Sequence, residues 1–323
     1  MKRMGGSLGK AARPQDGVVT ALHDPGLPRL AQALDVAGLA PRLRAVVGGH
    51  GTLAARVLKH APGKRCVIGY EFADGARAIG KLYRKERARV RAAELVALGD
   101  GLPGAIRVPR VLACWEDLGL VLQEWAPGAG VPDYEELGDR SDLVLQLGAA
   151  LAYFHAAPVR MGRSATLATH VQRTCRPGIA TLAAALPELA TALRDIESAM
   201  YARERAIPSV PGPCHGDFGP RQVLVDGSTV YLVDLDGFCQ GDPGLDVASF
   251  RVGLAAHLGA AGATLADRFL AAYLARRGLE ALPTLAHHEA FCELRRALIL
   301  WRKRPAGWEI DLRRAIERGR SRV

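Results

Sequence analysis

The sequence predicts an α+β protein of two lobes, a small antiparallel β-sheet lobe over residues 1–125 and a larger, mostly helical lobe over 126–323. Three observations carry this. Two strong turn dipeptides, Pro62-Gly63 and Asp74-Gly75, separate three β-rich runs near the N-terminus. Beyond Gly128 the apolar residues recur at helical spacing. One β-hairpin signal, VLVDGSTVYLVD, interrupts that helical half.

Residues 28–46 read as one or two short helices. The meander follows as ARVLKHA (55–61), RCVIGYEF (65–72) and ARAIGKLYR (76–84). KERARVRAAELVAL (85–98) is rich in helix formers. Two further strands are expected in RVPRVLACWE (107–116) and LGLVLQEW (118–125), and APG (126–128) ends the β pattern. In SDLVLQLGAALAYFH (141–155), Leu143, Leu147, Leu151 and Phe154 share one helical face. Residues 178–206 read as helical with a break at Pro187, and 245–258, 262–277, 284–303 and 308–318 as helices. A cleft between two lobes is a favoured place for a ligand.

With 323 residues, 49% hydrophobic and 24% charged, the composition is that of a soluble globular protein. No apolar run reaches membrane-spanning length, so no membrane partner is expected. The basic start MKRMGGSLGKAARPQDG lacks an apolar stretch behind it and reads as a tail, not a signal peptide. Its GGSLGK (5–10) lacks the spacing and the Ser/Thr of a P-loop. Six scattered cysteines without a CxxC pair point to reduced thiols and a cytoplasmic location. The net charge of +10 raises nucleic-acid binding, but the arginines are spread along the chain and only 6% of residues are aromatic. A positive field equally suits an enzyme that handles phosphates.

The chemistry concentrates in Cys214–Ala248, where aspartates sit at the ends of buried-looking strands. Carboxylates there need a partner or a cation. Gln222 enters the first hairpin strand and Asp234 leaves the second, so both lie at the open end, where an amide oxygen and a carboxylate can share one hard cation such as Mg²⁺. Asp217, five residues before Gln222, faces the same space and is free to act as a base.

His215-Gly216-Asp217, Asp234 and Gly241-Asp242-Pro243-x-x-Asp246 together resemble the catalytic segment of the aminoglycoside phosphotransferase and choline kinase family, small-molecule kinases with a protein-kinase-like fold. Phe154-His155 is similar to the family's Leu-His helix end, and LVLQEWAPG to its interlobe hinge; the resemblance covers residues 50–255. It implies a protein-kinase-like two-lobe fold and an ATP-dependent O-phosphotransferase, with ATP or GTP as donor and a small-molecule hydroxyl as acceptor. Asp217 would orient the hydroxyl and accept its proton. Asp234 would hold Mg²⁺, and Asp236 is either a further ligand or a solvated residue. His215 and Asp246 would brace the loop. Gln222 stands where the family usually has a metal-binding Asn, the same amide oxygen on a longer arm. Gly219 stands where protein kinases carry a lysine, which favours a small acceptor.

In the small lobe the resemblance implies Lys81 on the α/β-phosphates with Glu94 as its partner; Glu86 is a rival at the helix start. The backbone of Gln123, Glu124 and Trp125 would hold the purine. The phosphate loop is weakly represented: backbone N–H groups near Gly63 and Lys64 are one candidate and GGHGT (48–52) another. The acidic run PDYEELGDRSD (132–142) could attract a cationic acceptor at the cleft mouth, whereas the overall +10 argues against a polycation. Candidate acceptors are a sugar, an aminocyclitol or aminoglycoside, or an amino alcohol. A nucleotide-binding pseudokinase is the alternative, supported by Gln222 and the weak phosphate loop. His287, His288, Glu289 and Cys292 offer metal-type residues on one helix, but no second pair completes a zinc set, and they read as a helix face.

Overall fold

The structure, a computed structural model, describes residues 23–323; the N-terminal tail, including GGSLGK, lies outside the described residues. In chain order the elements are α1 (Leu30–Leu34), α2 (Val36–Val47), β1 (Leu53–Ala61), β2 (Arg65–Phe72), β3 (Arg77–Leu82), α3 (Lys85–Gly101), β4 (Ile106–Arg107), β5 (Val111–Trp115), β6 (Leu120–Glu124) and β7 (Ala129–Gly130). Then come α4 (Ser141–His155), α5 (Leu167–Thr174), α6 (Ile179–Ala185), α7 (Ala190–Ala206), β8 (Gly212–Cys214), β9 (Val223–Asp226), β10 (Thr229–Leu232), β11 (Cys239–Gly241), α8 (Gly244–Arg277), α9 (Leu285–Lys303) and α10 (Trp308–Arg320). They form two compact units: the chain up to Arg89 with Leu112–Gln123, and Val90–Val111 with Glu124–Val323. Among the described residues no helix is long and apolar enough to cross a membrane.

The first unit is built on a five-stranded sheet ordered β1-β2-β3-β6-β5. β1 and β2 pair antiparallel from Leu53 opposite Phe72 to Ala61 opposite Arg65, and β2 pairs antiparallel with β3. The Pro-Gly and Asp-Gly signals succeed because Gly63 and Gly75 take left-handed dihedrals, φ 67° and 87°. β2 is central, and Cys66, Ile68, Tyr70 and Phe72 pack with Leu30 of α1, Leu43 of α2 and Leu120 and Leu122 of β6. The buried Tyr70 hydroxyl donates to the Ala33 carbonyl at 2.6 Å. The run 107–116, expected as one strand, is two. Pro109 has no N–H to give a ladder, and the chain changes sheets there: β4 pairs parallel with β10, while β5 joins the five-stranded sheet.

The second unit is helical around the β9–β10 hairpin, which pairs from Thr229 opposite Asp226 to Leu232 opposite Val223. β4 and β7 flank it, giving the order β4-β10-β9-β7. The face expected for α4 is buried as written: Leu143, Leu147, Leu151 and Phe154 join Phe218, Phe250 and Phe269 in one core. Each buried side chain of this size stabilises by about 1.5–3 kcal/mol. The Phe250 and Phe269 rings lie 4.5 Å apart. α8 is bent where Gly259 leaves helical dihedrals (φ 59°, ψ −131°), matching the gap between the two helices expected there. The break expected at Pro187 falls between α6 and α7. α5 and the β8–β11 ribbon, which sets Cys214 opposite Cys239, are elements the sequence patterns do not announce. The six cysteines are free thiols.

Candidate active site

The residues His215–Gly219 leave β8 and lead through a 3-10 turn, Pro220–Gln222, into β9. Their course is fixed at both ends. The Asp246 carboxylate, wholly buried at the start of α8, accepts the backbone N–H of His215 at 2.6 Å and of Gly216 at 2.9 Å. His155 Nε2 lies 3.2 Å from the same carboxylate, and its Nδ1 lies 2.9 Å from the Tyr273 hydroxyl. Burial pushes the Asp246 pKa up, but the His155 ring and the His215 N–H outweigh it and hold the group below the usual carboxylate range. Gly216 has φ 77°, and a Cβ there would lie 2.6 Å from the Gly237 carbonyl oxygen, so only glycine fits. Phe218 is sunk in the aromatic core, and Ser249 Oγ donates to its carbonyl at 3.0 Å. Asp217, between these anchored neighbours, keeps its side chain 56% exposed.

The hairpin end is tied to this loop through Val233. Its N–H donates to the Gln222 carbonyl at 2.9 Å, and its carbonyl accepts from His215 Nε2 at 2.9 Å. The next residue, Asp234, has left-handed dihedrals (φ 57°, ψ 43°), uncommon for a residue with a Cβ. Such strain collects at functional positions. Gln222 and Asp234 are half-buried and Asp236 is buried. Gln222 and Asp234 thus start from bonded neighbours on one hairpin, and with Asp236 they supply amide and carboxylate oxygens, the hard donor set that suits Mg²⁺.

Asp217 and Gln222 open on a cavity of about 410 Å³ in this second unit. Its walls include Tyr134, Val252, Arg295 and Ile299. Tyr134 stacks on His257 at 5.0 Å and meets Phe250 at 5.5 Å. Arg295 Nη2 donates to Asp217 Oδ1 at 2.6 Å. Burial lowers the Arg295 pKa, and the Asp217 charge beside it more than reverses this. Sequence reading missed Arg295, whose only signal was a pair of arginines in the middle of a helix. The acidic run 132–142 does reach the cavity, through Asp133 and Glu135. Arg221 binds Asp133 with two hydrogen bonds, of 2.9 and 3.1 Å, so this part of the expected negative field is already neutralised. His287, His288, Glu289 and Cys292 lie on α9, as read, and are buried. Glu289 is held by Arg251 at 2.7 Å and Arg322 at 3.0 Å, and His288 lies 3.2 Å from Asp242.

The first unit carries Lys81, Gly63, Lys64 and Gln123. Lys81 is 8% exposed, opposite Val67, and does not face solvent as an ordinary strand lysine would. The N–H groups expected to face a phosphate are engaged: Gly63 donates to Asp24 at 2.8 Å and Lys64 to the Ala61 carbonyl at 3.0 Å. Asp24, which also contacts His60 at 2.8 Å, puts a carboxylate against this turn, so the Gly63–Lys64 backbone is not an open anion cradle. In the rival GGHGT, the His50 N–H goes to Asp74 at 2.8 Å. In the second unit Glu94 is 4% exposed and accepts from Arg91 at 2.6 Å, while Glu86 of the first unit is exposed. The Glu124 N–H donates to the Arg110 carbonyl at 2.9 Å, and its side chain accepts the Arg110 N–H at 3.0 Å. Trp125 follows at the end of β6.

Compared with known proteins, residues 69–286 match the model of a phosphotransferase enzyme family. No curated protein matches the chain. Among solved structures it is similar to a choline/ethanolamine kinase family protein from Mesorhizobium loti, with TM-score 0.58 and 16% identity over 88% of this chain and 94% of that one. It is similar to the macrolide 2'-phosphotransferase MphH from Brachybacterium faecium, with TM-score 0.57 and 21% identity over 87% and 97%. It is also similar to the amicoumacin kinase hAmiN in complex with AMP-PNP, Ca²⁺ and Ami, with TM-score 0.62 and 15% identity over 91% and 96%. These likenesses establish the kinase-like α+β fold.

Proposed function

We propose that this chain, which belongs to the phosphotransferase enzyme family, transfers the γ-phosphoryl group of ATP or GTP to a hydroxyl of a small molecule. The observation that carries the reading is the double anchoring of the loop by Asp246 and Val233, which leaves the loop's own carboxylate, Asp217, exposed in a cavity beside Gln222. Phosphoryl transfer asks for positioning and charge neutralisation more than for covalent chemistry. A rigid loop presenting a carboxylate supplies the first.

Asp217 orients the acceptor hydroxyl. With Oδ1 held by Arg295, Oδ2 is the oxygen that takes the proton. The acceptor oxygen bonds to the γ-phosphorus, the bond from that phosphorus to the bridging oxygen breaks, and ADP or GDP leaves. Gln222 and Asp234, with Asp236 behind them, would hold Mg²⁺. The ion would supply positive charge against that of the nucleotide phosphates. Lys81 is assigned to the α/β-phosphates and Glu94 to its support, and the backbone of Gln123–Trp125 to the purine. His215 acts by tying the loop to Val233 rather than by touching substrate. The free thiols fit a reducing, cytoplasmic compartment.

The test is nucleotide turnover with Mg²⁺ and ATP or GTP, against a panel of sugars, aminocyclitols and amino alcohols, with Asp217→Ala as control. Acceptor-dependent release of ADP or GDP that the substitution abolishes supports the reading. Absence of nucleotide binding, with or without Mg²⁺, refutes it. Tight nucleotide binding without transfer to any acceptor would instead favour a regulatory, non-catalytic role.

A further inference from the structure

The charges around the Asp217 cavity do not balance by pairing. Three carboxylates line it, Asp133, Glu135 and Asp217. Arg221 takes both oxygens of Asp133, Glu135 is largely exposed with His257 3.7 Å away, and Asp217 gives one oxygen to Arg295. Arg295 spends one of its five N–H groups on that bond; among the described residues its Nε and Nη1 have no acceptor. Arg296, the next residue on α9, also lines the cavity. Among the described residues its guanidinium has no hydrogen bond and no ion pair, although the side chain is half-buried. The nearby Glu293 is held at both oxygens by Arg318, at 2.5 and 3.0 Å, and is not available to it. Burial and the Arg318 charge press the Arg296 pKa down against the pull of Glu293 and Asp311, the mark of a cation short of a counter-charge.

A half-buried guanidinium pays a desolvation cost that an anionic oxygen acid, accepting two parallel N–H bonds, would offset. Resting on the phosphotransferase reading above, we infer that the acceptor bound here carries a carboxylate or phosphate beside the hydroxyl that is phosphorylated, and that Arg296, with the remaining N–H groups of Arg295, binds it. Val252 and Ile299 offer the apolar wall for the carbon body between the two groups. Arg296 is a specificity-determining residue in this scheme, and Arg295 has two duties. It holds Asp217 and turns its other donors to the acceptor's anion. A polycationic acceptor would instead meet two guanidinium groups, of which only Arg295 has a carboxylate partner.

The experiment compares paired acceptors in which one hydroxymethyl or hydroxyl group is exchanged for a carboxylate or phosphate: glycerate with glycerol, gluconate with glucitol, and glucose 6-phosphate with glucose, each with Mg²⁺ and ATP or GTP. Cationic amino alcohols and aminoglycosides run alongside. In parallel, calorimetry measures binding of each compound to the protein holding a non-hydrolysable nucleotide, so that the anion site is read without turnover. The expected result is at least a tenfold preference in kcat/KM, or in affinity, for the anionic member of one pair, the carboxylate and phosphate pairs identifying the group. Arg296→Gln should then raise KM for that member about tenfold with kcat little changed, and Arg296→Lys should restore part of it. Preference for neutral or cationic members overturns the proposal, as does an Arg296→Gln variant with unchanged KM and affinity, or a wild type that binds none of the anions saturably. If anions bind through Arg296 but no nucleotide does, the phosphotransferase reading fails while the anion site stands.

Discussion

Asp246 accepts the backbone N–H of His215 at 2.6 Å across 31 residues of sequence. One buried carboxylate thereby fixes the loop that carries Asp217, and His155 and Tyr273 continue the chain of bonds into α4 and the far half of α8. The position of the proposed base is set by a network three elements deep.

Removing that carboxylate should be costly. Asp246→Ala strands two backbone N–H groups and the buried His155 ring, and should destabilise by about 3–5 kcal/mol while slowing transfer. The effect should depend on pH. The folded pKa lies below the unfolded one, so the contribution is complete above about pH 4 and fades as pH falls through the unfolded and then the folded value. Urea unfolding of wild type and variant at pH 7 and below pH 4 checks it; a gap that stays constant or widens on acidification counts against the assignment.

Asp217→Ala should lower kcat by about 10²–10⁴-fold, the range for a lost general base, with nucleotide affinity retained. Steady-state kinetics with a competitive nucleotide-binding assay separates the two. A variant that keeps more than a tenth of its activity removes Asp217 from the proposed role.

At Asp234 stability and activity should part. Its left-handed backbone is easier for glycine. Relief of the left-handed backbone offsets the lost side-chain interaction and the added unfolded-state freedom, so Asp234→Gly should stay within about 1 kcal/mol of wild type in stability. Without the carboxylate, Mg²⁺-dependent transfer should be lost. Thermal unfolding and a Mg²⁺ titration of activity, run on the same preparation, give both readouts.

A Cβ at Gly253 would fall 2.2 Å from Cζ of Tyr134. Gly253→Ala must push that ring off its stack with His257, at about 1–3 kcal/mol of overpacking cost. Acceptor KM should rise, since both residues line the cavity, while nucleotide KM stays put. Unchanged acceptor KM would place the acceptor elsewhere.

Much of the second unit's scaffold was legible because its signals are local. The α4 face, the Asp226-Gly227 hairpin and the helix break near Gly259 each follow from dihedral preference or periodicity within one segment. The linked His-Gly-Asp and Gly-Asp-Pro spacing pointed to Asp217, Gln222 and Asp234, and Gln222 is hydrogen-bonded to Val233, the residue before Asp234. Two readings failed where tertiary contacts decide. Pro109 splits one expected strand between two sheets. The Gly63–Lys64 turn spends its N–H groups on Asp24 and Ala61.

By itself the sequence determined the fold class and the order of most elements, because periodicity and turn residues act over a few positions. Only the tertiary structure decided which charge meets which. Arg295 reaches Asp217 across 78 residues, Arg221 neutralises Asp133 across 88, and among the described residues no carboxylate hydrogen-bonds to Arg296, with Glu293 and Asp311 acting on it only through their charge. A side chain's electrostatic partner is set by packing among distant elements, and a linear pattern of charges holds no record of those distances.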